Sequence, residues 1–273
     1  NFFDTADFYG LGHSETLLGK VLSPYWKDVF VATKVGHQLK RDGTIKLNYT
    51  KSHITKACEA SLKRLNKEVI DLYQLHSAKL EHLEKGDCVE AMMRLKEAGK
   101  IRYWGISLNT FNPEPEAEFM IKNRIGDSFQ LVFNVINQRA AKTVIPDAFD
   151  NGYGIIARMP LQFGLLAGKY EADKVFPQND HRSFRLSPDL LRKSLDVLDF
   201  VWDVAHKYKV SRAELAISFI LNNPQITTTI CGIKTEEQAI ENIKPPVELA
   251  LIDIRLLTKF FDTTLSHLVD EYQ

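Results

Sequence analysis

The chain is poor in cysteine, carries no net charge and has no apolar run of membrane-spanning length. Its three cysteines, Cys58, Cys88 and Cys231, are odd in number, far apart and without C-x-x-C spacing. That pattern argues against a disulfide framework and against zinc, and it suits a reducing compartment. Lysine plus arginine equals aspartate plus glutamate at 35 each, so no basic face is set aside for nucleic acid or an anionic membrane. A small or uncharged partner is favoured instead. No segment approaches the roughly 20 apolar residues of a membrane span, and nothing at the start reads as a basic-then-apolar leader. The expectation is a cytosolic protein that acts on small molecules without a metal.

At 273 residues and 44% apolar content, the chain can bury a large core. Apolar runs suited to strands alternate with segments of helical periodicity. Strands are predicted to end near Asp4, Lys34, His76, Ser107, Val135, Ala157 and Cys231. Helical spacing appears in Ser14 to Leu22, with Ser14 as N-cap, and around Ile54, Cys58 and Leu62. Val89, Met92 and Met93 mark the inner face of a further helix. Ser187-Pro188 opens a long helix, while Ser211 with Glu214 and Thr235 with Gln238 read as capping boxes. A last amphipathic helix spans about Ile252 to Leu268. Gln38 to Thr50 and Pro160 to Ser187 read as loops.

Strict strand and helix alternation implies a parallel sheet, either open and doubly wound or closed as a (β/α)8 TIM barrel. A dinucleotide-binding open sheet calls for G-x-G-x-x-G between a strand and a helix, and that motif is missing. The closed barrel is therefore expected, as one domain over residues 1 to 273, with seven strands. Because the sequence begins within a strand and without methionine, the eighth strand is expected upstream.

In such barrels, polar groups at the carboxyl ends of strands gather on one face. Asp4, Lys34 and His76 end three successive predicted strands, and Tyr9 lies on the first connecting loop. A lysine buried beside an aspartate is tolerable as an ion pair. An ammonium near a phenol favours the phenolate, which would suit Tyr9 to proton exchange near neutrality. Tyr9 would then serve as general acid for carbonyl reduction, or as base for alcohol oxidation. His76, neutral and directional, would align the substrate oxygen.

The opening Asp4-Thr5-Ala6-Asp7-Phe8-Tyr9-Gly10, followed by Glu15-Thr16-Leu17-Leu18-Gly19, resembles the aldo-keto reductases. Their motif here is D-[ST]-A-x-x-Y-G and then E-x-x-L-G. The resemblance implies a catalytic tetrad of Asp4, Tyr9, Lys34 and His76, and a nicotinamide cofactor. It places Ser107 and Gln130 on the carboxamide and Phe133 against the nicotinamide ring. Asn109 matches an asparagine that in the family directly follows the serine, whereas Leu108 intervenes here.

Pro160, Leu161, Gly164, Leu165, Gly168 and Lys169 resemble the P-L-x-x-G-L-L-x-G-K segment that wraps the pyrophosphate. Gly232, Lys234, Thr235, Gln238 and Asn242 resemble the adenosine site, with Lys234 on a 2′-phosphate. NADP (NADPH) is thus expected over NAD, although Glu236 and Glu237 oppose it. The family also contains channel-associated regulatory subunits, so the resemblance leaves two readings open: a reductase of an aldehyde, ketone or sugar, and a cofactor-binding regulatory subunit. A chain without its upstream βα unit could also be inactive.

Overall fold

Runs such as Phe30-Val31-Ala32-Thr33-Lys34-Val35 are rich in β-branched and apolar residues, which suits strands buried on both faces. The computed structural model describes residues 1–40, 42–180 and 182–272, and His181 of the second predicted loop lies outside them. The strands are β1 (Phe2–Asp4), β2 (Phe30–Val35), β3 (His37–Leu39), β4 (Ile45–Leu47), β5 (Ile70–His76), β6 (Ile101–Ser107), β7 (Ser128–Val132), β8 (Gly154–Arg158) and β9 (Thr228–Ile230). Seven of these, all but β3 and β4, are parallel and alternate with helices in the order of the (β/α)8 class.

The chain divides into two compact units. In the first, residues 1–131 with 147–154, β1 pairs with β2, β2 with β5, β5 with β6 and β6 with β7. The register sets Lys34 beside Gln74, His76 beside Ser107, and Ser107 beside Gln130. The polar residues at the carboxyl ends of these strands therefore share one level. Helix Lys51–Leu65 buries Ile54, Cys58, Leu62 and Leu65 on the face predicted for it. In helix Asp87–Glu97, Met92 is buried but Met93 is 46% exposed, because one residue rotates a helix by about 100°.

Two local departures matter. Helix His13–Leu22 is capped by Gly12 and not by Ser14, whose hydroxyl accepts from Thr5 Oγ1 at 2.8 Å. The segment predicted as a polar loop from Gln38 holds an antiparallel hairpin of β3 and β4. Its turn is stabilised by Asp42 Oδ1, which accepts from the Thr44 amide (2.9 Å) and hydroxyl (2.6 Å). With three residues per strand, no alternation was long enough to read.

The second unit comprises residues 132–146 and 155–273. Here β8 pairs with β9, and helices Pro188–Tyr208 and Arg212–Leu221 bury Leu191, Leu198, Trp202 and Phe219, among others. Ser187 and Ser211 cap them, accepting from the amides of Leu190 (3.3 Å) and Glu214 (3.1 Å). The capping box at Ser211 is only half formed. The Glu214 carboxylate pairs with Lys244 at 3.4 Å, and Ser211 donates to Glu241 at 2.7 Å. The strand predicted to run to Val135 stops at Val132. Asn134 Oδ1 accepts from the amides of Ile136 and Asn137, both at 2.9 Å, and turns the chain. The last helix runs as Leu251–Phe260 and Ser266–Glu271, joined by a π-helical turn at Phe261–Leu265.

Candidate active site

In the first unit the four tetrad candidates come together. Lys34 is 1% exposed, and its ammonium pairs with Asp4 and donates to the Thr5 carbonyl at 2.9 Å. Burying such a pair costs several kcal/mol per ion, roughly, unless the remaining polar valences are filled. They are filled here by two amides. Gln130 Nε2 donates to Asp4 Oδ2 at 2.8 Å, and Gln74 Nε2 approaches the same oxygen at 3.4 Å. Ser107 Oγ in turn donates to Gln130 Oε1 at 3.3 Å.

Tyr9 stands on a turn in which Gly10, Leu11 and Gly12 all have positive φ, at 58°, 54° and 90°. Only the glycines adopt that region without strain. The turn leaves Tyr9 42% exposed, with the Lys34 ammonium 5.2 Å from its ring centroid. The His76 ring meets Tyr9 edge-on, at 5.9 Å between centroids and 85° between planes. A buried cation, a half-exposed phenol and an imidazole thus share one corner at the strand ends.

Three residues of this corner were not anticipated. Gln74 lies two positions before His76 on β5, hence on the same face, and the period of two could have revealed it. Tyr49 donates its hydroxyl to the His76 carbonyl at 2.5 Å, and burial raises its phenol above the usual range. His37 lies flat on His76, with centroids 4.1 Å apart and planes 17° apart. Neither Tyr49 nor His37 carries a signal in the sequence, since His37 opens and Tyr49 follows a hairpin whose strands are too short to recognise. Asp7, beneath the Tyr9 turn, has an Oδ1 with no partner among the described residues; burial, reinforced by Glu15, raises its carboxyl to about 7.

Asn109 is exposed, and its Oδ1 accepts from the amides of Phe111 (2.9 Å) and Asn112 (3.1 Å), forming a local turn. That geometry commits the side-chain oxygen to its own loop.

The second unit holds a cleft of about 540 Å³ lined by Pro160, Leu161, Gly164, Lys169, Gly232, Lys234, Gln238 and Asn242 of the expected cofactor residues. Gly168, Leu165, Thr235 and Phe133 do not line it. Leu165 is fully buried, and Phe133, 2% exposed, stacks on Phe219 at 5.8 Å. Their apolar side chains are satisfied by the core, and neither reaches this cleft. Thr235 Oγ1 caps helix Glu236–Asn242 at the Gln238 amide (3.3 Å), and Gln238 Oε1 accepts from the Lys234 amide (2.8 Å).

The glycines of the segment serve side chains. A Cβ on Gly164 would lie 2.4 Å from the Tyr170 hydroxyl, and one on Gly168 would lie 2.1 Å from Arg212 Cδ. Tyr170 and Arg182 also line the cleft. Tyr170 donates to the Phe163 carbonyl (2.7 Å), and Arg182 Nη1 donates to the Tyr170 hydroxyl (2.7 Å), with Asp180 chelating the guanidinium. The loop-like composition around Arg182 was the one available signal. Among the described residues Asn242 Nδ2 has no partner at this cleft, and cationic side chains lie along it, so the residues present suit an anionic, nitrogen-rich ligand such as a nucleotide.

Among the described residues, no group of three or more His, Cys, Asp or Glu could hold a metal ion. No described helix is long and apolar enough to cross a membrane.

The profile of the Aldo/keto reductase family matches residues 1–251. The uncharacterized oxidoreductase YqkF of Bacillus subtilis is 30% identical over 249 residues, covering 89% of this chain and 77% of that protein. The aldo-keto reductase yakc [NADP(+)] of Schizosaccharomyces pombe is 29% identical over 247 residues, covering 88% and 72%. Among solved structures, the glycerol dehydrogenase AKR11B4 from Gluconobacter oxydans superposes with a TM-score of 0.81 at 26% identity, over 98% of this chain and 82% of that one.

Proposed function

Since the chain belongs to the aldo/keto reductase family and is an oxidoreductase of that kind, we propose that it reduces an aldehyde or ketone to an alcohol with NADPH, Tyr9 being the general acid. The observation that carries the reading is the closed set of contacts around Asp4: its carboxylate holds Lys34, and the Lys34 ammonium faces the ring of the exposed Tyr9.

When bound, the nicotinamide would supply the hydride that reaches the carbonyl carbon. The substrate oxygen would sit between the Tyr9 hydroxyl and the edge of His76, which orients it. Tyr9 would give its proton to that oxygen as charge develops there, and solvent would restore the proton through the exposed side of the turn. Lys34 would stabilise the resulting phenolate, and Asp4, held by Gln130 and Gln74, would keep the ammonium from swinging away. Ser107 and Gln130 would bind the carboxamide. Gln130 now spends both ends of its amide on Ser107 and Asp4, so carboxamide binding would share those partners.

In the second unit, Lys169 and Arg182 would meet the pyrophosphate and Lys234 a 2′-phosphate. Gln238 and Asn242 would face the base, where the unpartnered Asn242 amide has an acceptor to gain. The name of the fission-yeast relative supports NADP as the cofactor.

The test is to follow NADPH absorbance with a panel of aldehydes and ketones for the chain and for Tyr9→Phe. Turnover that falls by about 10²-fold to 10⁴-fold in the variant, with cofactor binding kept, supports the assignment. Equal turnover by Tyr9→Phe would remove Tyr9 from the reaction.

A further inference from the structure

The tetrad uses one imidazole, yet the structure stacks a second upon it. His37 follows Gly36 at the end of β2 and opens the hairpin. Its ring lies 4.1 Å from that of His76 and within 17° of parallel. Phe8 also packs edge-on to it at 5.6 Å. The imidazole thus touches both the Tyr9 turn and His76.

The main chain of His76 is held from the same hairpin. Tyr49 donates to its carbonyl, and Gly36 makes room for the Tyr49 ring, since a Cβ there would lie 2.1 Å from Tyr49 Cε1. Ring and backbone of His76 are both set by residues that touch no proposed substrate atom.

We propose that His37 is a positioning residue for His76: it fixes the His76 ring edge-on to Tyr9. This rests on the carbonyl-reduction reading above. A ring free to turn about χ2 would lose its aim at the substrate oxygen, whereas a flat neighbour at stacking distance leaves one plane available. A His76 ring held in that plane offers its edge to a carbonyl oxygen placed beside the Tyr9 hydroxyl.

Two variants separate the flat backstop from a bare pocket. His37→Phe keeps a flat ring against His76, while His37→Ala removes it. Imidazole NMR relaxation of the full chain reads the order of the His76 ring directly, and kcat and KM are measured with NADPH and a reducible aldehyde. In His37→Ala the His76 ring is expected to lose order and kcat to fall about tenfold while KM changes less. In His37→Phe the ring is expected to stay ordered and kcat to stay within about twofold of wild type. A wild-type kcat in His37→Ala, or a His37→Phe that loses as much as His37→Ala, would overturn the proposal. Should wild-type protein turn over no carbonyl compound, the functional reading fails instead, and the NMR order of the His76 ring in the variants still decides whether His37 positions it.

Discussion

Gln130 Nε2 lies 2.8 Å from Asp4 Oδ2, joining residues 126 positions apart and tying the first parallel strand of the unit to the fifth. Replacing Gln130 with Leu leaves that oxygen only the long contact to Gln74. A buried acceptor that loses its donor costs about 1–3 kcal/mol. Urea unfolding is expected to show a lower midpoint at unchanged slope, and KM for NADPH is expected to rise as Ser107 loses its acceptor.

Removing the cation is more severe. Lys34→Met strands the Asp4 carboxylate in the interior, and breaking a buried pair from one side costs about 3–5 kcal/mol. Adding Asp4→Asn to Lys34→Met is expected to recover part of that stability and none of the carbonyl turnover. Recovery of turnover along with stability would mean that Lys34 acts on the fold alone.

Asp7 predicts a pH dependence. Burial raises its folded pKa from 3.8 to about 7, so between those values the folded chain holds a proton that the unfolded chain has released. Its contribution is therefore intact below about pH 4 and is lost as pH rises toward 7. The full shift corresponds to about 4 kcal/mol as an upper bound, reduced by the partial exposure of the group. Asp7→Asn, which cannot ionise, is expected to flatten the fall in melting temperature from pH 4 to 8 and to be the more stable form at pH 8.

Gly36 has a φ of 132° and the Tyr49 ring against its α-carbon. Gly36→Ala forces a β-carbon into that ring and a strained backbone onto alanine, at a cost of about 1–3 kcal/mol. Because Tyr49 then withdraws from the His76 carbonyl, kcat is expected to drop even at temperatures where the variant stays folded, as circular dichroism would establish.

Lys234 is exposed at the mouth of the second unit's cleft. Lys234→Ala is expected to raise KM for NADPH about tenfold, the loss of one charge-assisted contact, and to leave KM for NADH unchanged. Equal effects on both cofactors would place the 2′-phosphate elsewhere.

Much of this was legible in advance, because it depends on local period. The seven parallel strands and the helix faces at Ile54, Cys58 and Leu62 follow from apolar spacing, and the caps at Ser187 and Ser211 from hydroxyls placed before helical runs. The carboxyl ends of the first three parallel strands were legible too, so Asp4, Lys34 and His76 could be set at one level from the sequence. What failed was short-range or geometric. The hairpin of β3 and β4 is too brief to show a period. The core burial of Phe133 and Leu165 was not legible either, because the sequence does not say which side of an apolar segment has more to bury.

Residue types and their order determined the strand and helix alternation, the family, and which polar groups end successive strands, since hydrophobic period and motif spacing are properties of the chain itself. Tertiary structure alone decided that the Asp4 carboxylate is shared among Lys34, Gln130 and Gln74, that Tyr49 grips the backbone of His76, and that His37 covers its ring. Those contacts join residues far apart in sequence or set the aim of a side chain, and distance and direction exist only once the strands have been brought into register.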